Sequence, residues 1–348
     1  MSPTATDRAV LRLGTRRSAL ARTQSDWTAE LLRGNGWMVE LVEITTHGDV
    51  SREPLAQIGG TGVFVSALRD ALLAGEVDLA VHSLKDLPTA PAEGLTLAAV
   101  PGREDPRDVL VARGGLALAG LPSGARVGTG SPRRRALLLD LRPDLDVVAV
   151  RGNVDTRLRM VSEGDLDAVV LAAAGLARLG RSGEASELLD AAAVVPAPGQ
   201  GALAVECRAD DTALVAALQA LDVPAARRAV AAERAVLARL EVGCSAPVGA
   251  HAVETAAGVL RLNVAVGTPE GALLRRVAEA PADSVPAATE LGHRVADDLL
   301  DGPVPLAPPR RPGGVETPRA DPQTPPAAPG GGNSQDHRRP RPDPESGL

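Results

Sequence analysis

Short apolar runs alternate with longer helix-forming stretches through most of the chain, and this alternation restricts the fold more than any other feature. Strands are expected over 10–15, 38–45, 77–81 and 95–100, with helices over 18–33 and 63–73. A polar break follows, Arg103-Glu104-Asp105-Pro106-Arg107-Asp108, suited to a hinge. The pattern then resumes with strands over 126–129, 147–150 and 168–171 and helices over 132–141 and 154–162. A Pro- and Gly-rich stretch from Val194 to Gly201 marks a second crossing. It is followed by a strand over 201–207 and a helix over 211–221. Such alternation implies α/β units with a largely parallel sheet. From residue 225 a third pattern begins, with a helix to about 240, strands near 245–252 and 260–267, and a helix over 284–300.

The 348 residues suffice for two or three domains. The expected organisation is a first α/β domain of 10–101 with 201–221 and a second of 105–196, with a cleft between them. A small α+β domain of 224–302 and a tail of 303–348 complete the chain. Thirteen of the 46 tail residues are proline and six are glycine. The tail cannot bury enough apolar surface to offset its ordering entropy, so disorder is expected there. The longest apolar run, 168–177, is about half a membrane span. The first residues carry no apolar stretch of signal-peptide length, so a cytoplasmic protein with no membrane partner is expected.

Composition removes further classes. The net charge of −7 argues against a general polyanion binder, though not against a local basic cleft. Trp27, Trp37 and Phe64 are the whole aromatic complement, too few to stack nucleic-acid bases. Two cysteines, Cys207 and Cys244, make neither a disulfide framework nor a four-ligand zinc site. The five histidines are scattered and form no metal-ligand motif, so no metal is expected. Gly128-Thr129-Gly130 has Arg133 where a dinucleotide fingerprint needs its third glycine.

Three loops share one device. Gly14-Thr15-Arg16-Arg17-Ser18, Gly128-Thr129-Gly130-Ser131-Pro132-Arg133-Arg134 and Arg151-Gly152-Asn153-Val154-Asp155-Thr156-Arg157 place hydroxyl or amide groups and guanidinium groups at predicted helix N-termini. Ser18 and Ser131 read as N-caps, and Pro132 fits the first helical position. Capping does not explain arginine there, since the helix dipole disfavours a cation at that end. A negative partner is needed, and an anionic ligand would supply it. If the two α/β units face each other, the loops ring one cleft with positive charge.

Of the 37 basic residues only Lys85 is a lysine. It stands in Val81-His82-Ser83-Leu84-Lys85-Asp86-Leu87-Pro88, at the carboxyl end of a predicted strand, where open α/β sheets bind ligands. Neighbours on a strand point to opposite faces, so a direct Lys85–Asp86 pair is not expected. Cys207 lies in an apolar strand and reads as core. Cys244 lies between Gly243 and Ser245-Ala246-Pro247, in a loop suited to an exposed sulfur.

The Lys85 stretch, the three arginine loops and Gly243-Cys244-Ser245-Ala246-Pro247-Val248-Gly249 closely resemble the porphobilinogen deaminase (hydroxymethylbilane synthase) family. The likeness runs in order from about residue 11 to 300 and includes 103–108, 198–202 and Ala232-Glu233-Arg234. It implies two domains like the lobes of a periplasmic-type binding protein, plus a third. It implies a monomeric transferase of tetrapyrrole biosynthesis, on the way to haem. Four porphobilinogen molecules are joined head to tail with loss of ammonia, and hydroxymethylbilane is released by hydrolysis. A dipyrromethane cofactor is attached through a thioether to Cys244.

The resemblance makes Asp86 the catalytic carboxylate, which holds pyrrole N–H groups and stabilises the cationic azafulvene left after deamination. A carboxylate among cations should stay ionised, which suits that task. Arg16, Ser18, Arg133, Arg134, Arg151, Arg157 and Arg178 take substrate and cofactor carboxylates, as arginine does bidentately. Thr129, Ser131, Ser83 and Lys85 assist. The chain departs from the family pattern at Gln57, Thr61 and Gly130, the first two in a loop expected to cover the cleft. The alternative is a non-catalytic two-lobed module for small anions, which needs neither Asp86 nor Cys244. A third reading, an interaction protein working through Pro308-Pro309-Arg310-Arg311-Pro312, is weaker.

Overall fold

Burial of four of its five residues seats β1 (Leu11–Thr15) in the interior of one sheet, with Leu11 and Leu13 in the core. The computed structural model describes residues 10–45, 63–242, 246–268 and 270–302. The expected cover loop with Gln57 and Thr61, the Cys244 loop at 243–245 and the tail 303–348 lie outside the described residues. The first sheet holds β1, β2 (Val39–Glu43), β3 (Leu79–Ser83), β4 (Leu95–Ala99) and β10 (Leu203–Arg208), in the order β2-β1-β3-β10-β4. Helices α1 (Ala19–Gly34) and α6 (Thr212–Gln219) cover the face that carries Leu13, Leu79 and Leu203. Helix α2 (Val63–Leu73) covers the other, with Leu68 and Leu72 against Val77 and Ala80.

The second sheet repeats the plan. It holds β5 (Asp108–Ala112), β6 (Arg126–Gly128), β7 (Asp146–Val148), β8 (Ala168–Ala172) and β9 (Glu187–Leu188), in the order β7-β6-β8-β5-β9. Helix α3 (Pro132–Leu141) packs Leu137 and Leu138 on one face. Helices α4 (Val154–Ser162) and α5 (Ala173–Arg178) pack Leu158 and Leu176 on the other.

In each sheet four of the five described strands run the same way and one, β10 or β5, runs against them. The pairings are parallel in one half (β2-β1-β3; β7-β6-β8) and antiparallel around the reversed strand (β3-β10-β4; β8-β5-β9). The strands that break the parallel order, β5 and β10, are those the chain enters after crossing from the other lobe. A strand fed from outside the βαβ succession has no crossover helix to impose direction. Strand β5 begins at Asp108, which the sequence reading had assigned to the hinge; Asp108 is fully buried.

The two crossings, 100–107 and 189–202, run against each other. Glu104 N donates to Gly201 O at 3.2 Å, and Arg103 Nε donates to Gln200 O at 2.9 Å. Gly201 has φ +86°, and a Cβ there would sit 2.3 Å from Glu104 O, so only glycine permits this approach.

The C-terminal unit lays α7 (Pro224–Arg239) and α8 (Val285–Leu300) on an antiparallel sheet of β11 (Val248–Ala256), β12 (Val259–Gly267) and β13 (Leu273–Pro281). Strand β13 had no counterpart in the sequence reading. Glu233 on α7 is buried and joins the unit to both crossings. It accepts from Arg103 Nη1 at 2.7 Å and Nη2 at 3.0 Å, from Gly199 N at 2.7 Å and from Ala252 N at 2.8 Å.

Candidate active site

Strand β3 ends at Ser83 and turns at once into a single 3-10 turn, Leu84–Asp86. Leu84 anchors the turn: it is fully buried, and its N–H donates to Ala202 O at 3.0 Å. Arg234 on α7 holds the exit, donating to Leu87 O at 2.8 Å and Pro88 O at 2.7 Å. Lys85 and Asp86 are therefore not strand neighbours on opposite faces. A 3-10 turn sets successive side chains about 120° apart, and both reach one cavity.

That cavity, about 200 Å³, lies between the lobes. The first lobe contributes Leu20, Gln24, Ser83, Lys85 and Asp86; the second contributes Arg134, Arg157 and Arg178 with an apolar wall that includes Leu171 and Ala174. Among the described residues of the lining, Asp86 is the one acidic group, against four cations. Gln24, buried on α1, donates from Nε2 to Ser83 Oγ at 2.9 Å and fixes that hydroxyl. Lys85 Nζ donates to Gln200 Oε1 at 3.4 Å. Burial pushes the Lys85 ammonium down to about 8. Asp86 and Asp108 oppose the shift, and Arg134 and Arg133 add to it.

On the second lobe Asp108 binds both arginines at the start of α3. Arg133 Nη1 donates to Asp108 Oδ2 at 2.8 Å and to Val195 O at 2.7 Å. Arg134 donates to Asp108 Oδ1 from Nη2 at 2.8 Å and from Nε at 3.1 Å, and its Nη1 meets Val170 O at 3.0 Å. Burial alone would raise the Asp108 carboxyl; Arg133 and Arg134 hold it well below the ordinary carboxylate range. Arg133 is thus buried against a carboxylate of its own chain and does not line the cavity. The negative partner that this helix N-terminus needs is, for Arg133, internal.

Arg157, in the first turn of α4, donates from Nε to Gly152 O at 3.0 Å. Burial lowers its pKa, and Arg134 adds to the effect. Arg178 ends α5, and its Nη2 donates to Gly201 O at 2.7 Å, joining the second lobe to the return crossing.

Six of the residues singled out on sequence therefore meet in one cavity: Ser83, Lys85, Asp86, Arg134, Arg157 and Arg178. Ser18 and Ser131 are N-caps, Ser18 Oγ accepting from Ala21 N at 3.3 Å and Ser131 Oγ from Arg134 N at 3.4 Å. Thr129 is buried, and its Oγ1 accepts from Ser131 N at 3.2 Å. Arg16 is half-buried between β1 and α1, and Arg151 is exposed before α4. None of these five lines the cavity. Gln24, Gln200 and Asp108 were not singled out as site residues. For Gln24 a signal existed: Gln24, Ser25 and Thr28 put polar groups on the buried side of α1.

Residues 11–216 match the family model "Porphobilinogen deaminase, dipyromethane cofactor binding domain", and residues 227–301 match "Porphobilinogen deaminase, C-terminal domain". The chain belongs to the porphobilinogen deaminase family. A porphobilinogen deaminase of Thermobifida fusca is 58% identical over 298 residues, covering 83% of this chain and 93% of that protein. Porphobilinogen deaminase 1 of Streptomyces coelicolor is 58% identical over 301 residues, with 83% and 94% covered. One of Leifsonia xyli subsp. xyli is 54% identical over 311 residues, with 86% and 94% covered. Among solved structures, the methionine binding protein MetQ aligns over 61% of this chain and 89% of its own, at 12% identity and a TM-score of 0.41. Family membership makes the chain a transferase of tetrapyrrole biosynthesis with a dipyrromethane cofactor.

Proposed function

We propose that the cavity between the lobes is where this porphobilinogen deaminase joins four porphobilinogen molecules head to tail, releasing ammonia at each step and hydroxymethylbilane at the end. The observation that carries the reading is the convergence of Lys85 and Asp86 from one lobe with Arg134, Arg157 and Arg178 from the other. Porphobilinogen carries acetate and propionate groups. Four cations in a small, partly dry space suit those carboxylates, and forked guanidinium groups take them bidentately. Asp86 answers the opposite need. Departure of ammonia leaves a positively charged methylene-pyrrole, and a lone carboxylate held on a rigid turn stabilises that charge where it forms.

The same donor set fits a dipyrromethane, whose side chains are also acetates and propionates. Lys85, Arg134, Arg157 and Arg178 would hold these, with Asp86 near the pyrrole N–H groups. When bound, the cofactor supplies the pyrrole carbon from which the chain grows. Its thioether attachment is assigned to Cys244. Arg16, Ser18, Thr129, Ser131, Arg133 and Arg151 keep the part that the family motif implies, as further binders of substrate and cofactor carboxylates beyond the lining of this cavity; Ser131 also caps α3.

The domain limits proposed are 10–101 with 201–221, 105–196 and 224–302. No described helix is long and apolar enough to cross a membrane. A monomer in the cytoplasm is the reading that the family resemblance supports, and action on a small molecule and not on nucleic acid agrees with the net charge of −7 and three aromatic residues. A bare anion-binding module would leave the Asp86 carboxyl among bound carboxylates without a task.

Intact mass under denaturing conditions tests the attachment. The expected result is an excess equal to two linked pyrrole units, absent from Cys244→Ser. A bare-chain mass that porphobilinogen does not change would overturn it. Asp86→Ala should abolish turnover with the melting temperature preserved; retained turnover removes Asp86 from its role.

A further inference from the structure

Gln200 lies on the return crossing between two glycines of positive φ, Gly199 (77°) and Gly201 (86°), and is 1% exposed. Its Nε2 donates to Pro106 O at 2.7 Å and to Asp108 Oδ1 at 2.8 Å. Both partners are pure acceptors, a peptide carbonyl and a carboxylate. A carboxamide nitrogen has two protons, so both are committed and the amide has one orientation. Its Oε1 must then face the cleft, where it accepts from Lys85 Nζ.

We infer that Gln200 is a positioning residue for the reaction: its carbonyl holds the Lys85 ammonium in the cleft, and its amide suspends that hold from Asp108 of the opposite lobe. The inference rests on the deaminase reading and gives Gln200 no contact with substrate.

The charged surroundings of Lys85 explain why a holder is needed. Asp86 faces it from its own turn, Asp108 from β5, and Arg133 and Arg134 from α3. Arg157 and Arg178 stand in the same cavity wall. Burial is the main cause that makes the ammonium easier to discharge; Asp86 and Asp108 oppose it, and Arg134 and Arg133 add to it. A carbonyl dipole aimed at Nζ opposes that discharge and limits the reach of a side chain with four rotatable bonds. Because Asp108 also fixes Arg133 and Arg134, one amide couples the lysine of the first lobe to the arginine wall of the second.

The chain has one lysine, which makes the test direct. In the full-length protein labelled with ¹³C at lysine Cε, a single resonance reports the Lys85 titration. The wild-type midpoint, with the cofactor's carboxylates beside Lys85, is the reference for the variants, each prepared with the cofactor attached. Gln200→Met, close in size but without an acceptor, should lower the midpoint by about one pH unit. Gln200→Asn, one methylene shorter, keeps an amide on Asp108 and withdraws the carbonyl from Lys85; it should lower the midpoint in the same direction. If Gln200→Met does not fold, Gln200→Asn decides alone. A wild-type midpoint in every folded variant overturns the inference. In turnover of porphobilinogen by the cofactor-loaded enzyme, Gln200→Met should raise KM and move the basic limb of the pH profile down by the same unit. A loss of kcat equal at all pH values, with KM unchanged, marks a merely structural role and also overturns it. Failure of the deaminase reading would be seen separately, as wild-type protein that does not consume porphobilinogen while the resonance still shifts.

Discussion

Replacing Asp108 by asparagine isolates the buried charge that organises the second lobe. Asp108 is fully buried, and its partners Arg133 and Arg134 have side chains 4% and 7% exposed. Asparagine keeps the size and one acceptor but leaves two guanidinium groups without a counter-ion. Removing one partner of a buried pair costs about 3–5 kcal/mol, a large share of a total stability of roughly 5–15 kcal/mol. In a folded body of this size 1 kcal/mol moves Tm by about 2 °C, so the expected fall is roughly 6–10 °C. Differential scanning calorimetry reads it, with Asp144→Asn as control. That residue pairs with Arg142 at the surface, and its Tm change should stay under about 1 °C. The sign with pH is also fixed. A carboxyl held low in the folded state stabilises fully above its unfolded value, near about 3.9, and the benefit fades as pH falls through the folded value. The gap between wild type and variant should be flat from pH 8 to about 5 and narrow below about 4. A fall under about 2 °C, or a gap that widens in acid, refutes the reasoning.

Glu206 is held at about 2 against burial by His82 and Arg69, so Glu206→Gln should cost about 3 kcal/mol at neutral pH. Its Tm difference from wild type should shrink as pH falls from about 4.5 toward 2. Gly201→Ala combines a positive φ with a Cβ 2.3 Å from Glu104 O. A loss of about 1–3 kcal/mol from strain, and more from the displaced crossing, should appear in urea melts together with reduced turnover. Arg157→Ala removes a cavity cation whose one described hydrogen bond is to Gly152 O. KM for porphobilinogen should rise about 10–100-fold, while Tm should not fall by more than about 2 °C, because a cation in the first turn of α4 opposes the helix dipole.

Caps and apolar periodicity made much of this architecture legible. Ser18 and Ser131 cap the helices they announce, since a hydroxyl before a helical run has one good use; Asn153, not read as a cap, does the same for α4. Strand β5 was missed because its first residue is a charged one and only four apolar residues follow. Nothing local says that Asp108 will be neutralised by residues 25 and 26 positions away. Strand β13 was missed because its residue types do not follow its faces: Val277 points outward and is exposed, while the small Ala278 and Ala280 beside it pack on the core. The largely parallel direction was legible; the one reversed strand in each sheet was not, because its direction is a property of the crossing between lobes and not of the strand. Within the site, Arg133 and Arg134 are adjacent in sequence, yet only Arg134 reaches the cavity. Both bond to Asp108, so the difference lies in the directions that adjacent positions of the first helical turn give their side chains, which depend on where the turn starts against the sheet.

Strand β10 has a consequence for how the protein is made. It is the only described strand to which β4 bonds in its sheet, and it sits between β3 and β4. Yet it leaves the ribosome about a hundred residues after β4, when the whole second lobe has already emerged. At about 5–20 residues per second, the nascent first lobe spends roughly 5–20 s as a three-stranded sheet with β4 waiting. The second lobe, whose strands all lie within one uninterrupted stretch, can finish first. The amino-terminal lobe is therefore the later of the two to close, and the wait leaves an apolar strand edge open to chaperones or to a neighbouring chain.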